Sequence, residues 1–137
     1  MKNLLLIALC FLATNIYAQQ KSMATLIDEQ MNFAKSQYKV LAKNVPADRM
    51  PKALKDGKVE TSDTKWWCSG FFPGSLLYIY EYTQDAEIKA EAERRLGILE
   101  KEKHYTGNHD LGFMMYCSFG NAYRLFNRPE EDRKSVV

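Results

Sequence analysis

Two short segments hold the residue types that can do chemistry. In Asn108-His109-Asp110-Leu111-Gly112-Phe113, a carboxylate sits beside an imidazole at the start of an apolar run. An acid with such a neighbour is suited to proton transfer. In Trp66-Trp67-Cys68-Ser69-Gly70-Phe71-Phe72-Pro73-Gly74, two indoles precede another apolar run. A tryptophan offers a flat apolar face for a sugar ring. Both segments open helices, and a helix N-terminus presents free N–H groups and a partial positive charge, which suits an anion such as a carboxylated sugar. Plainer readings stand beside these. Asp110 is also a good helix cap. His109 could serve a backbone carbonyl, and Trp66 and Trp67 could be core. Tyr78, Tyr80 and Tyr82 read as packing residues rather than ligand contacts. No serine-nucleophile or zinc-ligand spacing accompanies the His-Asp pair.

The elements that must position these residues are helical. Ser22 to Asn44 places Met23, Ile27, Ala34, Tyr38 and Leu41 on one face, with Ser22 as the cap. From Val45 to Thr64 the pattern is lost around Pro46, Pro51 and Gly57, and a long connection is expected. A helix through Ser75 to Tyr82 follows, with Pro73 suited to its first turn. It is apolar nearly all round, which demands burial on most sides. Asp85 caps a helix to about Lys103, whose stripe is Ile88, Ala92, Leu96 and Leu99 and whose Glu91–Arg95 pair is expected outside. The last helix runs from about Asp110 to Phe126. Gly120 in its interior costs about 1 kcal/mol unless close packing compensates. Two amphipathic helices thus alternate with two apolar ones, the pattern of an outer and an inner layer. The inner helices need further inner helices beside them, so the chain is expected to end before its fold closes.

Bulk properties narrow the function classes. Lys2, the apolar run Leu4 to Thr14 and Ala18 read as a signal peptide over 1–18, cut after Ala18. The run is shorter than the roughly 20 residues of a membrane span, and Cys10 lies in a poor context for lipid attachment. Export to a periplasm or the outside of a bacterial cell is expected, with the helical part spanning 19–129 and an irregular tail over 130–137. The formal net charge of +2 carries no clustered basic excess, which argues against a nucleic-acid partner. After cleavage only Cys68 and Cys117 remain. They read as two small buried thiols, although an oxidising compartment permits a disulfide.

Trp67-Cys68-Ser69-Gly70-Phe71-Phe72-Pro73-Gly74-Ser75-Leu76, then Tyr80-Glu81, then His109-Asp110-Leu111-Gly112-Phe113-Met114 resemble the unsaturated glucuronyl hydrolases of glycoside hydrolase family 88. The likeness runs from about Trp66 to Leu125 and covers about the first third of that family's length. It implies an all-α fold, the first hairpins of an (α/α)6 barrel. It implies an oligosaccharide substrate, of glycosaminoglycan type, ending in a 4,5-unsaturated uronic acid. An acid would protonate the double bond, water would add, and the unstable product would open and release the remaining sugar. Usual glycoside hydrolysis instead protonates the leaving oxygen. No metal or organic cofactor is implied. The resemblance gives Asp110 a catalytic role and makes Trp67 and His109 substrate contacts. The family's second aspartate falls beyond Val137, and Asp132 lacks the surrounding motif. A fragment inactive alone is therefore expected. A small helical carbohydrate-binding or interaction module and the related unsaturated rhamnogalacturonyl hydrolases are the alternatives.

Overall fold

The computed structural model of the chain describes residues 21–127. The signal-peptide reading (1–18), the 130–137 tail and Asp132 lie outside them. The chain divides into two units, residues 1–30 and 31–137. In the first, Ser22 Oγ accepts from Thr25 N–H at 3.1 Å and caps helix α1 (Met23–Asn44), as its residue type predicts. Met23 and Ile27 on the expected face are exposed.

In the second unit, Ala34, Tyr38 and Leu41 of α1 pack on the core together with Met31 and Ala42. The segment after α1 is not an irregular connection. It forms an antiparallel hairpin, β1 (Met50–Lys55) and β2 (Lys58–Ser62). Asp56 and Gly57 make its two-residue turn with φ of 49° and 73°. Positive φ at both central residues matches the twist of a hairpin, and Asp-Gly is a strong signal for it. A register break between Pro51 and Ala53 leaves Lys52 as a bulge.

Helices α2 (Phe71–Thr83) and α3 (Ala86–Leu99) pack against each other. Asp85 caps α3 by accepting from the Glu87 and Ile88 amides. The stripe Ile88, Ala92, Leu96 and Leu99 is buried as its period requires. Residues Glu100–Glu102 tighten into a 3₁₀ turn, which ends the α-helix before Lys103. The final helical run begins as α4 (Leu111–Met115), passes through a π-helical turn (Tyr116–Gly120) and ends as α5 (Asn121–Phe126). Ser118 Oγ donates to Met114 O at 2.6 Å inside that turn. Gly120 packs beneath the Tyr116 ring, where an added Cβ would sit 3.0 Å from it.

The Glu91–Arg95 pair forms, at 2.7 Å, but not on the outside. Arg95 is fully buried. Its guanidinium donates to the carbonyls of Pro46 (2.9 Å), Val45 (3.2 Å) and Arg49, and lies 5.2 Å from the Phe72 ring centroid. The 45–49 segment folds over α3, and its carbonyls need donors once buried. Arg94 adds a bond to Ala47 O at 2.9 Å.

The apolar helices are covered on most sides, with one face open. Leu76, Leu77, Ile79, Met114, Met115 and Phe119 are buried. Tyr78, Tyr82, Phe113, Tyr116 and Tyr123 are exposed, so Tyr78 and Tyr82 are not packing residues here. Tyr80 does pack, 5.9 Å from Phe126. No helix among the described residues is long and apolar enough to cross a membrane.

Candidate active site

Two glycines bring the chemical segments together. An added Cβ at Gly70 would lie 2.0 Å from Met114 O, and one at Gly74 would lie 2.4 Å from Cys117 O. Only a residue without a side chain permits this approach of the α2 start to the backbone of α4 and of the π-helical turn. Gly70→Ala is expected to destabilise the protein by about 2–3 kcal/mol through forced separation of backbones. Gly97→Ala is the control. Its Cβ meets nothing within 4 Å, and it is expected to be neutral or stabilising. Urea midpoints of the two variants make the comparison, and equal midpoints would remove the close-approach argument.

The approach places Phe113 of α4 against the indole before α2. Trp67 meets Phe71 edge-on at 5.8 Å and Phe113 at 6.3 Å, and Phe71 meets Phe113 at 5.9 Å. Edge-to-face contacts at these separations are favourable. Trp66 lies 6.5 Å from Trp67. Both indoles are 38% exposed, so neither is core, and each keeps accessible ring surface. The turn that presents them is held by Ser69 N–H to Trp66 O and Phe71 N–H to Cys68 O.

Asp110 occupies the N-cap position of α4, but its side chain makes no capping bond. Its backbone carbonyl takes the Phe113 and Met114 amides, and its own amide is held by Asn108 Oδ1 at 2.9 Å. The carboxylate is left for another partner. His109 Nε2 lies 3.2 Å from Asp110 Oδ2. The acid is mostly sheltered, with 24% of its side chain exposed, while the His109 side chain is 91% exposed. His109 thus serves the acid rather than a backbone carbonyl. Phe113, one turn from Asp110, links it to the Trp67 cluster. The arrangement is an aromatic platform with a sheltered carboxylate and an exposed imidazole at the start of the helix that carries Phe113.

Sequence reasoning missed the tie that holds the two presenting loops. Thr64 Oγ1 donates to Glu102 Oε1 at 2.6 Å, both residues buried. Thr64 leads into Trp66-Trp67, and Glu102 leads into the loop that ends at Asp110. A threonine and a glutamate 38 residues apart give no local signal. Cys68 and Cys117 are free thiols, each half-buried, and burial pushes the Cys117 thiol up. Among the described residues, no group of His, Cys, Asp and Glu could hold a metal ion.

No protein-family model matches the chain. It is 34% identical over 110 residues to an unsaturated glucuronyl hydrolase of Formosa agariphila, covering 80% of this chain and 26% of that protein. It is 29% identical over 107 residues to an unsaturated chondroitin disaccharide hydrolase of Streptococcus pyogenes serotype M1, covering 76% and 27%. The crystal structure of an unsaturated glucuronyl hydrolase specific for heparin superposes with a TM-score of 0.71 at 34% identity, over 77% of this chain and 29% of that one. A mutant unsaturated glucuronyl hydrolase from Streptococcus agalactiae has a TM-score of 0.75 at 20% identity, over 86% and 34%, a likeness of fold. The chain spans about a quarter to a third of the length of these relatives. Its helices correspond to part of their α/α barrel.

Proposed function

From the chain's relationship to the unsaturated glucuronyl hydrolases over about four fifths of its length, we propose that the Trp67–Asp110 site handles an oligosaccharide whose non-reducing end is a 4,5-unsaturated uronic acid. The observation that carries this reading is the Asp110 carboxylate, released from capping and sheltered beside His109, one turn from the exposed Trp67 platform. Trp67 offers its face to the flat unsaturated ring. Asp110 supplies one carboxylate for hydration of the double bond: a proton joins one carbon, water adds at the other, and the resulting ring opens and frees the linked sugar. His109 contacts the Asp110 carboxylate from its solvent-exposed position and keeps it oriented. The Leu4–Thr14 run and Ala18 support export, to the compartment where polysaccharide lyases leave such ends.

The chain's only two tryptophans are Trp66 and Trp67, so tryptophan emission, excited selectively over the eight tyrosines, reports on the platform alone. Titration with an unsaturated uronyl disaccharide is expected to change that emission saturably. Trp67→Leu is expected to weaken binding about tenfold or more, since stacking on an aromatic ring contributes about 1–3 kcal/mol. Equal binding of the saturated and unsaturated disaccharides would refute specificity for the unsaturated ring. Binding without loss of the double bond's ultraviolet absorbance would favour a carbohydrate-binding module, for which the exposed platform alone suffices.

A further inference from the structure

We infer that Lys52, held over Trp66, is an anion-selecting subsite beside the Trp67 platform that takes an oxyanionic substituent, a sulfate ester or a carboxylate, on the bound sugar. The inference rests on the functional reading above and adds a specificity-determining residue to it. Lys52 belongs to the hairpin, outside both motif segments.

Three observations converge. Lys52 is the unpaired residue of the β1 bulge, between the pairs Pro51–Thr61 and Ala53–Glu60. A bulge bends its strand and re-aims a side chain. The ammonium group lies 4.6 Å from the Trp66 ring centroid. Its charge is held there by the ring face, while its remaining N–H bonds stay open to an acceptor. Lys52 also lines a concavity of about 200 Å³ with Cys68, Phe71, Phe72 and Ser75. Phe71 is the ring in edge contact with Trp67, so the concavity and the platform share that side chain.

Charge balance supports the same assignment. Among the described residues no carboxylate pairs with Lys52. The ammonium of Lys65, next to Trp66 in the chain, lies 5.4 Å from the Tyr105 ring centroid, a second cation held on an aromatic ring. The two indoles consequently divide their work. One face of Trp66 is occupied by Lys52, and Trp67 is the ring that remains for stacking.

The test is fluorescence titration of the full chain, Lys52→Met and Lys52→Arg with three disaccharides. One carries a sulfate ester, one lacks it, and one lacks it and has its carboxylate methylated. Lys52 is exposed in the hairpin, and circular dichroism verifies that each variant keeps its helices. Lys52→Met is expected to weaken binding of an anionic disaccharide about tenfold, the scale of one charge-assisted hydrogen bond, while Lys52→Arg retains affinity. Loss confined to the sulfated ligand assigns the sulfate ester. Loss on both anionic ligands, with the methyl ester unaffected, assigns the carboxylate. No loss, or equal loss on all three, overturns the subsite. If Trp67→Leu weakens all three ligands while Lys52→Met weakens none, the platform stands and Lys52 falls. If the wild-type chain binds no disaccharide, both are refuted.

Discussion

Asp110→Asn is expected to lower kcat for an unsaturated disaccharide by about 10²–10⁴-fold, the range for loss of a positioned proton-transfer group. The measurement uses a chimera in which residues 21–127 of this chain replace the matching segment of a full-length relative. Stability is expected to stay within about 0.5 kcal/mol, because the Asp110 side chain holds no helix amide. The opposite pattern follows if Asp110 is only a cap. Asparagine caps as well as aspartate, so Asp110→Asn would be silent, and Asp110→Ala would cost about 1 kcal/mol. The two substitutions together separate the readings. A kcat within twofold of the parent for Asp110→Asn would remove Asp110 from the chemistry.

Arg95→Met is expected to destabilise the protein by about 3–5 kcal/mol, seen as a lower urea midpoint. The volume is nearly conserved, so the loss comes from hydrogen bonding. Val45, Pro46 and Arg49 each lose a donor to their carbonyls, and Glu91 loses one of its two cationic partners. Arg95→Lys is expected to rescue little, since an ammonium cannot reach the same spread of acceptors as a planar guanidinium. The pH dependence has a defined sign. Burial pushes the Glu91 carboxyl up, and its hydrogen bonds from Arg94 and Arg95 outweigh this and hold it below the ordinary carboxylate range. A lowered folded-state pKa contributes stability above the unfolded value, about 4.3, and loses it as pH falls through the folded value. Wild-type stability is thus expected to fall in acid below that range, and Arg95→Met to show a shallower fall. Identical slopes would show that the pair does not set the acid sensitivity.

Much of the fold was legible in local pattern. The Ile88, Ala92, Leu96 and Leu99 stripe, the Ser22 and Asp85 caps and the apolar character of the two inner helices all follow from spacing and residue type. The hairpin was not legible: Asp56-Gly57 is its turn signal, but the surrounding prolines and charges hide the alternation, and the segment reads as a connection. Leu54, 74% exposed, and Val59 are too few apolar positions to show a strand period. Of the candidate site, Trp67, His109 and Asp110 were legible as types at helix starts.

What the sequence determined by itself is the chemistry on offer: an acid beside an imidazole, two adjacent indoles, and apolar helices behind them. The tertiary structure decided how each group is used. Asp110 could cap α4 or turn to another partner, and its carboxylate faces His109 while Asn108 and the backbone carbonyl of Asp110 organise that turn. Arg95 could pair with Glu91 in solvent or in the interior. It lies in the interior because the 45–49 carbonyls fold over α3. Gly70 and Gly74 decide that Trp67 meets Phe113, through a backbone approach between segments 44 positions apart in the first case. Periodicity records which face of one element is apolar. It does not record which distant backbone will lie against that face, because close approach and carbonyl satisfaction are settled only when the segments meet.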